Sequence, residues 1–326
     1  MSLGIKAAEA GLVPDFLLRS TMRKWMRRRL DEQSEEGKAA FLASLREAPV
    51  AILPEKANEQ HYEVPAAFYE QVLGKRRKYS SAYWPDGVND LDAAEEAMLQ
   101  LSCERAELED GMDILELGCG WGSLSLWMAE KYPNAKITSV SNSHSQRESI
   151  MARAPGNLTV ETADMNDFAT ERVFDRVVSI EMFEHMRNYE ELLRRVAGWL
   201  RDDGKLFLHV FCHKHWCYPF ETEGDDNWLG RWFFTGGLMP SHDLFTHFQD
   251  DLTVESLEAV GGEHYARTAE AWLQLLDERR DAVRPILGSN TWIHRWRLFF
   301  MACAELFGYD GGREWHVSHI RMSKQS

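Results

Sequence analysis

An α/β fold with a mostly parallel, Rossmann-like sheet is what this sequence predicts, on three observations. Residues Asp113 to Ser123 read Asp-Ile-Leu-Glu-Leu-Gly-Cys-Gly-Trp-Gly-Ser, followed by Leu124, Leu126 and Met128. An apolar run, alternating glycines and renewed apolar spacing make a buried strand, a tight turn and a helix. Second, five apolar runs punctuate the middle of the chain: Ile114–Leu117, Ile137–Val140, Leu158–Glu161, Val173–Ser179 and Lys205–Phe211. Third, helical patterns fit between them, the rhythm of parallel strands joined by right-handed crossovers.

Taken in order, residues Phe16 to Leu30 predict an amphipathic helix. Leu18, Met22, Trp25, Met26 and Leu30 share one side, and Arg19, Arg23, Lys24, Arg27, Arg28 and Arg29 the rest. Such a helix either packs on its domain with a solvated basic face, the favoured reading, or touches a membrane or partner. Glu59 to Trp84 is rich in aromatics, and Asp92 to Leu108 is helical by pattern. After the fifth strand the rhythm is lost from His213 to about Asn290, which reads as an insertion capping the site. Trp292 to Phe307 follows as an aromatic helix and Trp315 to Met322 as a last edge strand. The expected units are therefore an N-terminal helical extension (1–85), a ligand-binding core (86–212), a cap (213–290) and a closing helix and strand (291–326).

Composition narrows the function. The 326 residues, 44% of them hydrophobic, suit one large or two smaller globular domains. A net charge of −15 argues against a broad nucleic-acid footprint or extensive contact with anionic lipid, and mildly favours a cationic small molecule. No apolar run is long enough to span a membrane, and Met1 to Ala10 lacks the pattern of a secretory signal. Five cysteines, an odd number in a long chain, fit a reducing compartment, so the expected location is cytoplasmic.

The glycine turn places a ligand above the carboxyl end of its strand, where backbone without Cβ can approach it. A dinucleotide fingerprint wants Gly-x-Gly-x-x-Gly and an acid some 20 residues on. Here Gly118, Gly120 and Gly122 alternate, and the second strand ends in Ser141-Asn142. Asp164 follows the third strand and either accepts a hydrogen bond from a bound base or caps the N-terminus of a helix. Ser143 is a candidate helix cap, while Asn142 and Gln146 offer neutral hydrogen bonds. Glu181, Glu184 and His185 follow the fourth strand on the same rim. Two carboxylates and an imidazole within five residues are the best acid–base candidates. Their alternative is a helix N-terminus that favours Glu. Cys212, His213, His215 and Cys217 match no standard zinc spacing, so no metal is expected. Trp292, Trp296, Phe299, Phe300 and Phe307 form a stripe that reads as core, with some rings free to face a cation.

The glycine turn with Glu116 resembles motif I of class I S-adenosylmethionine (SAM) methyltransferases. Gln60-His61-Tyr62, Phe68-Tyr69, Tyr79-Ser-Ser-Ala-Tyr-Trp84, Ser143-x-x-Gln146 and Met182-Phe-Glu-His185 extend the likeness. So do Arg231 to Ser241 and Ala304 to Tyr309. Together they resemble the cyclopropane-fatty-acid-synthase-like methyltransferases, and among these the coclaurine and related benzylisoquinoline N-methyltransferases. The resemblance implies a class I methyltransferase sheet with an N-terminal helical extension and an insertion cap. It implies SAM contacts at Tyr79, Ser80, Glu116, Gly118, Gly120, Asn142, Gln146, Asp164, Met165 and Ile180. It implies Glu184 and His185 as acid and base with Glu181 beside the amine, and substrate contacts at Tyr83, His209, Tyr265, Trp296 and Phe299. In the synthases a bicarbonate is the base, and its ligand positions correspond here to Ser81, Glu184, His209, Phe211 and Tyr265, of which three match. Around Glu255 to Gly262 the chain departs from the N-methyltransferase pattern, which bears on the cap.

The expected activity is methyl transfer from SAM to a small-molecule amine. One rival is a lipid-modifying enzyme that cyclopropanates or methylates an acyl chain, using residues 16–30 to touch membrane. The other is a non-catalytic SAM- or alkaloid-binding module. A homodimer is compatible with the sequence.

Overall fold

The structure is a computed structural model, and it describes residues 2–52 and 64–324. The resemblance carried by Gln60-His61-Tyr62 lies outside the described residues. The centre is a seven-stranded sheet in the order β3-β2-β1-β4-β5-β9-β8. Its strands are β1 (Asp113–Leu117), β2 (Lys136–Ser141), β3 (Leu158–Thr162), β4 (Phe174–Ile180) and β5 (Leu200–His213). The others are β8 (Leu252–Val260) and β9 (Trp315–Lys324), while β6 (Tyr218–Pro219) and β7 (Leu238–Met239) form a separate small ribbon. β1 to β5 pair in parallel, and β9 runs antiparallel to both β5 and β8.

Helices cover both faces of the sheet, so its central strands bury apolar side chains on both sides: in β1, Ile114, Leu115 and Leu117 are fully buried. The chain leaves β1 toward β2 on one side and returns to β4 on the other. The crevice where connections diverge is the usual ligand position of such sheets. Gly118 directly follows β1 and Glu181 directly follows β4, so the sheet delivers both to that crevice.

The N-terminal helix runs over Asp15–Asp31. Its basic face is largely exposed, as expected, while some of its cations pair with carboxylates of this chain. Arg19 pairs with Glu270 and Glu305, Arg23 with Glu305, and Arg28 with Glu32. Arg19 and Arg23 thereby tie this helix to the two helices that bear Glu270 and Glu305. The aromatic helix spans Asn290–Phe307 and packs against the Asp15–Asp31 and Gly262–Glu278 helices.

Two expectations change. The span 213–290, expected to be cap throughout, contains β8, which completes the main sheet. The strand near 315–322 is not an edge strand: β9 lies between β5 and β8. β8 escaped notice because it is a true edge, with Glu255 and Glu258 on the exposed positions that protect such edges.

Candidate functional site

Two adjoining cavities open at the crevice and share Gly118, Gly120, Gln146 and His185. The first is walled by Asn142, Asp164, Met165, Met182, Thr235 and Gly236. The second is walled by Tyr79, Ser80, Glu116, Ile180, Glu181, Phe211, Phe234, Tyr265 and Phe299.

The glycine turn shapes the floor. Gly118 has φ +80°, and a Cβ there would stand 2.6 Å from Met182, so both conformation and space demand glycine. A Cβ on Gly120 would meet no protein atom within 4 Å, which leaves that backbone open to a ligand. Gln146 is buried: its Oε1 accepts from Ser141 Oγ (2.7 Å) and its Nε2 has no hydrogen-bond partner. Ser143 caps the His144–Met151 helix as expected. Asp164 Oδ1 accepts from Asn166 N–H (2.7 Å) in a turn, not at a helix start, and the residue lines the first cavity. Glu116 is anchored beneath the turn, with Oε2 accepting from Ser125 Oγ and from Ser139 Oγ (2.7 Å). Its complete burial pushes the carboxyl up to about 7.

Glu181 is the focus of the second cavity. Its Oε1 accepts from Ser81 N–H (3.0 Å) and faces His209 Nε2 (3.2 Å); Oε2 accepts from Tyr265 Oη (2.7 Å). Burial pushes this carboxyl up to about 7, opposed by the nearby Lys78 ammonium. Lys78 is itself fully buried, donating to Ser80 Oγ (2.5 Å) and the Ser81 carbonyl (2.7 Å). Desolvation brings its ammonium down to about 8, against the attraction of Glu181 and Glu95. Glu181 also has φ +48°, a strained conformation for a residue with a side chain. Three anchors on the carboxylate hold it there.

A polar chain runs from Glu181 across the sheet. His209 Nδ1 meets His319 Nε2 at 2.9 Å, and His319 Nδ1 meets Arg105 Nη1 at 2.9 Å. A guanidinium only donates, so His319 accepts on Nδ1 and carries its proton on Nε2. His319 then donates to His209, whose remaining proton on Nε2 points at Glu181. Burial pushes both imidazoles well below their ordinary range, so they are neutral in this chain.

The expected residues divide three ways. Glu181, His185, Tyr265 and Phe299 line the second cavity, as do Tyr79, Ser80, Glu116 and Ile180. His209 acts on Glu181 from behind the wall. Glu184, Tyr83 and Trp296 are not among the wall residues. Glu184 is wholly buried; its Oε1 accepts from Phe211 N–H (2.8 Å) and its Oε2 is unpaired. Burial, and then the like charge of Glu181, holds that carboxyl well above the ordinary range, which favours its protonated form. Tyr83 packs against His264 with the rings tilted (centroids 4.6 Å apart), and Trp296 is core, packed on Phe68, Phe233 and Phe299. Motif spacing had put these residues near the crevice but could not set the direction of their side chains. Lys78, Phe234, Thr235 and Gly236 were not nominated. The last three lie in the Arg231–Ser241 segment that carried part of the resemblance, and Lys78 adjoins Tyr79.

A glycine cradle at the switch point, an acid after β3 and a carboxylate-bearing aromatic cavity beside it define a class I SAM-dependent methyltransferase. The chain belongs to the family whose model is described as mycolic acid cyclopropane synthetase, which matches residues 52–314. It is 38% identical over 343 aligned positions to (S)-coclaurine N-methyltransferase of Thalictrum flavum subsp. glaucum, covering 98% of this chain and 95% of that one. It is 30% identical over 272 positions to the cyclopropane-fatty-acyl-phospholipid synthase of Escherichia coli (strain K12), covering 81% of this chain and 67% of that protein. Among solved structures, coclaurine N-methyltransferase bound to N-methylheliamine and S-adenosylhomocysteine (SAH) superposes with a TM-score of 0.93 at 38% identity, each chain 98% covered. A cyclopropane synthase from Mycobacterium tuberculosis shares the fold, with a TM-score of 0.72 at 22% identity over 85% of this chain and 100% of that one.

Proposed function

We propose that this protein transfers the methyl group of SAM to the nitrogen of a small-molecule amine, with a basic alkyl amine carrying aromatic rings, of the benzylisoquinoline type, as the best-fitting substrate class. The single observation that carries the reading is the Glu181 carboxylate in the wall of an aromatic cavity. Phe211, Phe234, Tyr265 and Phe299 supply apolar and π surface, and Glu181 supplies the charge that an ammonium seeks.

The cavity residues fit SAM: an open Gly120, a buried Gln146 amide nitrogen without a partner and Asp164 at the rim offer space, a donor and an acceptor. When bound, SAM supplies an electrophilic methyl on a sulfonium. An amine attacks only through a free lone pair, so an arriving ammonium must first lose a proton. Glu181 in its ionised form attracts the ammonium and accepts that proton; His185, at the junction of the two cavities, is the second acceptor. Glu184, buried with its carboxyl pushed upward, does not exchange protons with substrate and instead fixes β5 through Phe211 N–H. Enclosure by the cap residues Phe234, Thr235 and Gly236 excludes water and holds nucleophile and methyl together.

Glu181 also weighs against a bicarbonate-dependent reaction. Ser81, His209 and Tyr265 stand at positions that the resemblance assigns to bicarbonate ligands, Ser81 in place of the synthases' cysteine, and here all three hold a carboxylate of the chain itself. The five cysteines carry no disulfide, which supports a reducing, cytoplasmic setting.

The test offers SAM bearing a trideuterated methyl group together with secondary and tertiary amines and unsaturated phospholipid. An amine product that keeps all three deuteriums supports the proposal. A lipid product that keeps two overturns it, because cyclopropanation removes a proton from the transferred carbon.

A further inference from the structure

Cys212 and His316 are direct partners across the β5–β9 ladder, on the face of the sheet opposite His209 and His319. Ser318 stands two residues along β9 on the same face as His316. His242 covers them from the segment after β7. That segment is pinned to β5: His213 N–H donates to the Pro240 carbonyl (2.8 Å), and His242 N–H donates to the His213 carbonyl (2.9 Å). The Cys212 sulfur and one ring nitrogen from each of His242 and His316 all lie within 4.8 Å of one another.

The separations have the scale of a coordination shell. His242 Nδ1 and His316 Nε2 are 3.1 Å apart, Ser318 Oγ is 2.6 Å from His242 Nδ1, and Cys212 Sγ is 3.0 Å from Ser318 Oγ. Two nitrogens on one tetrahedral zinc, each about 2.0–2.1 Å from it, stand about 3.3 Å apart. Hydrogen bonding alone serves the cluster poorly. His242 Nδ1 faces both Ser318 and His316 but has one proton or one lone pair to give. A cation between the two rings would take a lone pair from each.

We propose that Cys212, His242 and His316 bind one zinc-like transition-metal ion, with Ser318 Oγ or a water at the fourth position. One thiolate with two imidazoles is a donor set suited to zinc. Binding displaces the Cys212 thiol proton to solvent. Each imidazole stays neutral, keeping its proton on the outward nitrogen, so a dication and one thiolate leave a single net positive charge. Cys212 and His316 are buried, and the half-buried His242 is the side from which an ion enters.

The site is structural, not catalytic. It ties β5, β9 and the 240s segment together one residue beyond Phe211, whose N–H holds Glu184. Pattern reading of the sequence overlooked it because only Cys212 lies in the Cys-His-rich run; its partners come from a loop and a strand far along the chain.

The experiment measures zinc retained per chain after equilibration with low-micromolar Zn2+, and the absorption of the Co2+-loaded protein. Wild type is expected to hold about one equivalent and to show a thiolate-to-cobalt band in the near ultraviolet. His242→Ala and His316→Ala should each lower affinity by about tenfold or more, and Cys212→Ser should abolish the band. His215→Ala, at an exposed histidine outside the cluster, should change neither. Circular dichroism separates misfolding from ligand loss, and Zn2+ should raise the melting temperature of wild type but not of folded His242→Ala. Wild type that retains no more zinc than the His242→Ala, His316→Ala double variant overturns the proposal. SAH binding survives metal removal if the site is structural; joint loss of the two would place the ion in the methyl-transfer site and overturn that part.

Discussion

Replacing Glu181 with Gln removes the charge on which the proposed chemistry depends while sparing the local structure. The amide oxygen can still accept from Ser81 N–H and His209 Nε2, and the amide nitrogen can donate to the Tyr265 hydroxyl. What is lost is an anion beside the substrate nitrogen. A carboxylate and an ammonium about 4 Å apart at an effective dielectric of about 20 attract by about 4 kcal/mol. Part of that is offset when the ammonium leaves water. At about 1.4 kcal/mol per factor of ten, the expected loss in kcat/KM is about 10²–10³-fold. The sign of the pH dependence follows from the raised carboxyl. Activity needs the ionised form, so kcat/KM of wild type should rise through pH of about 7 and level off above it. Two substrates of different amine basicity separate the sources: a limb that moves with the amine belongs to the amine, and one that stays belongs to the enzyme. Glu181→Gln should erase the stationary limb. The decisive assay is a pH series of initial rates for both forms under conditions where chemistry limits. A variant within about threefold of wild type, or one that keeps the stationary limb, refutes the reasoning.

Other substitutions probe the frame of the site. Gly118→Ala puts a Cβ 2.6 Å from Met182 at φ +80°, and should cost about 1–3 kcal/mol of stability and most SAH affinity; calorimetric SAH binding at wild-type strength would contradict this. Glu116 has its carboxyl raised from 4.5 to about 7 by burial, so the folded state binds its proton more tightly than the unfolded state. The resulting destabilisation is absent below the lower value and complete above the higher, worth about 3 kcal/mol. Ligand-free Glu116→Gln should therefore melt above wild type at pH of about 8 and lose that advantage as pH falls toward about 5; a gap independent of pH would show that Glu116 does not titrate in this window. His319→Phe leaves His209 without its donor, so Glu181 loses a steadily oriented N–H. We expect about a tenfold fall in kcat, little change in KM and an upward move of the stationary pH limb; a change confined to thermal stability would assign His319 to packing.

The parts of the site legible in the sequence were those fixed by neighbours along the chain. The alternating glycines declare a turn, at Gly118 because a side chain has no room there, and Glu181 and His185 follow a recognisable strand. Contacts made across the sheet left weaker marks. Nothing near His319 in the sequence says that it stands opposite His209, because register belongs to pairs of strands. Glu184 illustrates a different gap. Its motif marked it as a proton carrier, yet its burial depends on β5 and on the cap, and these push its carboxyl upward and keep it out of the cavity walls. Lys78 was hidden by a general expectation that lysine is solvated, which fails where a buried carboxylate lies nearby.

The position of β9 has a consequence for how the molecule comes to be active. β5 acquires its second sheet neighbour only from residues about a hundred positions further along the chain, and β8 has no other strand beside it. During synthesis the five parallel strands can assemble while their outer flank stays unpaired, a surface open to mispairing and to chaperones. The same late strand brings His319 to His209. Until it docks, Glu181 lacks part of the support that holds it in a strained backbone, so the nascent enzyme could bind its methyl donor before it could orient the group that receives the proton. Competence would then arrive in one late step, when a single strand slides into the gap.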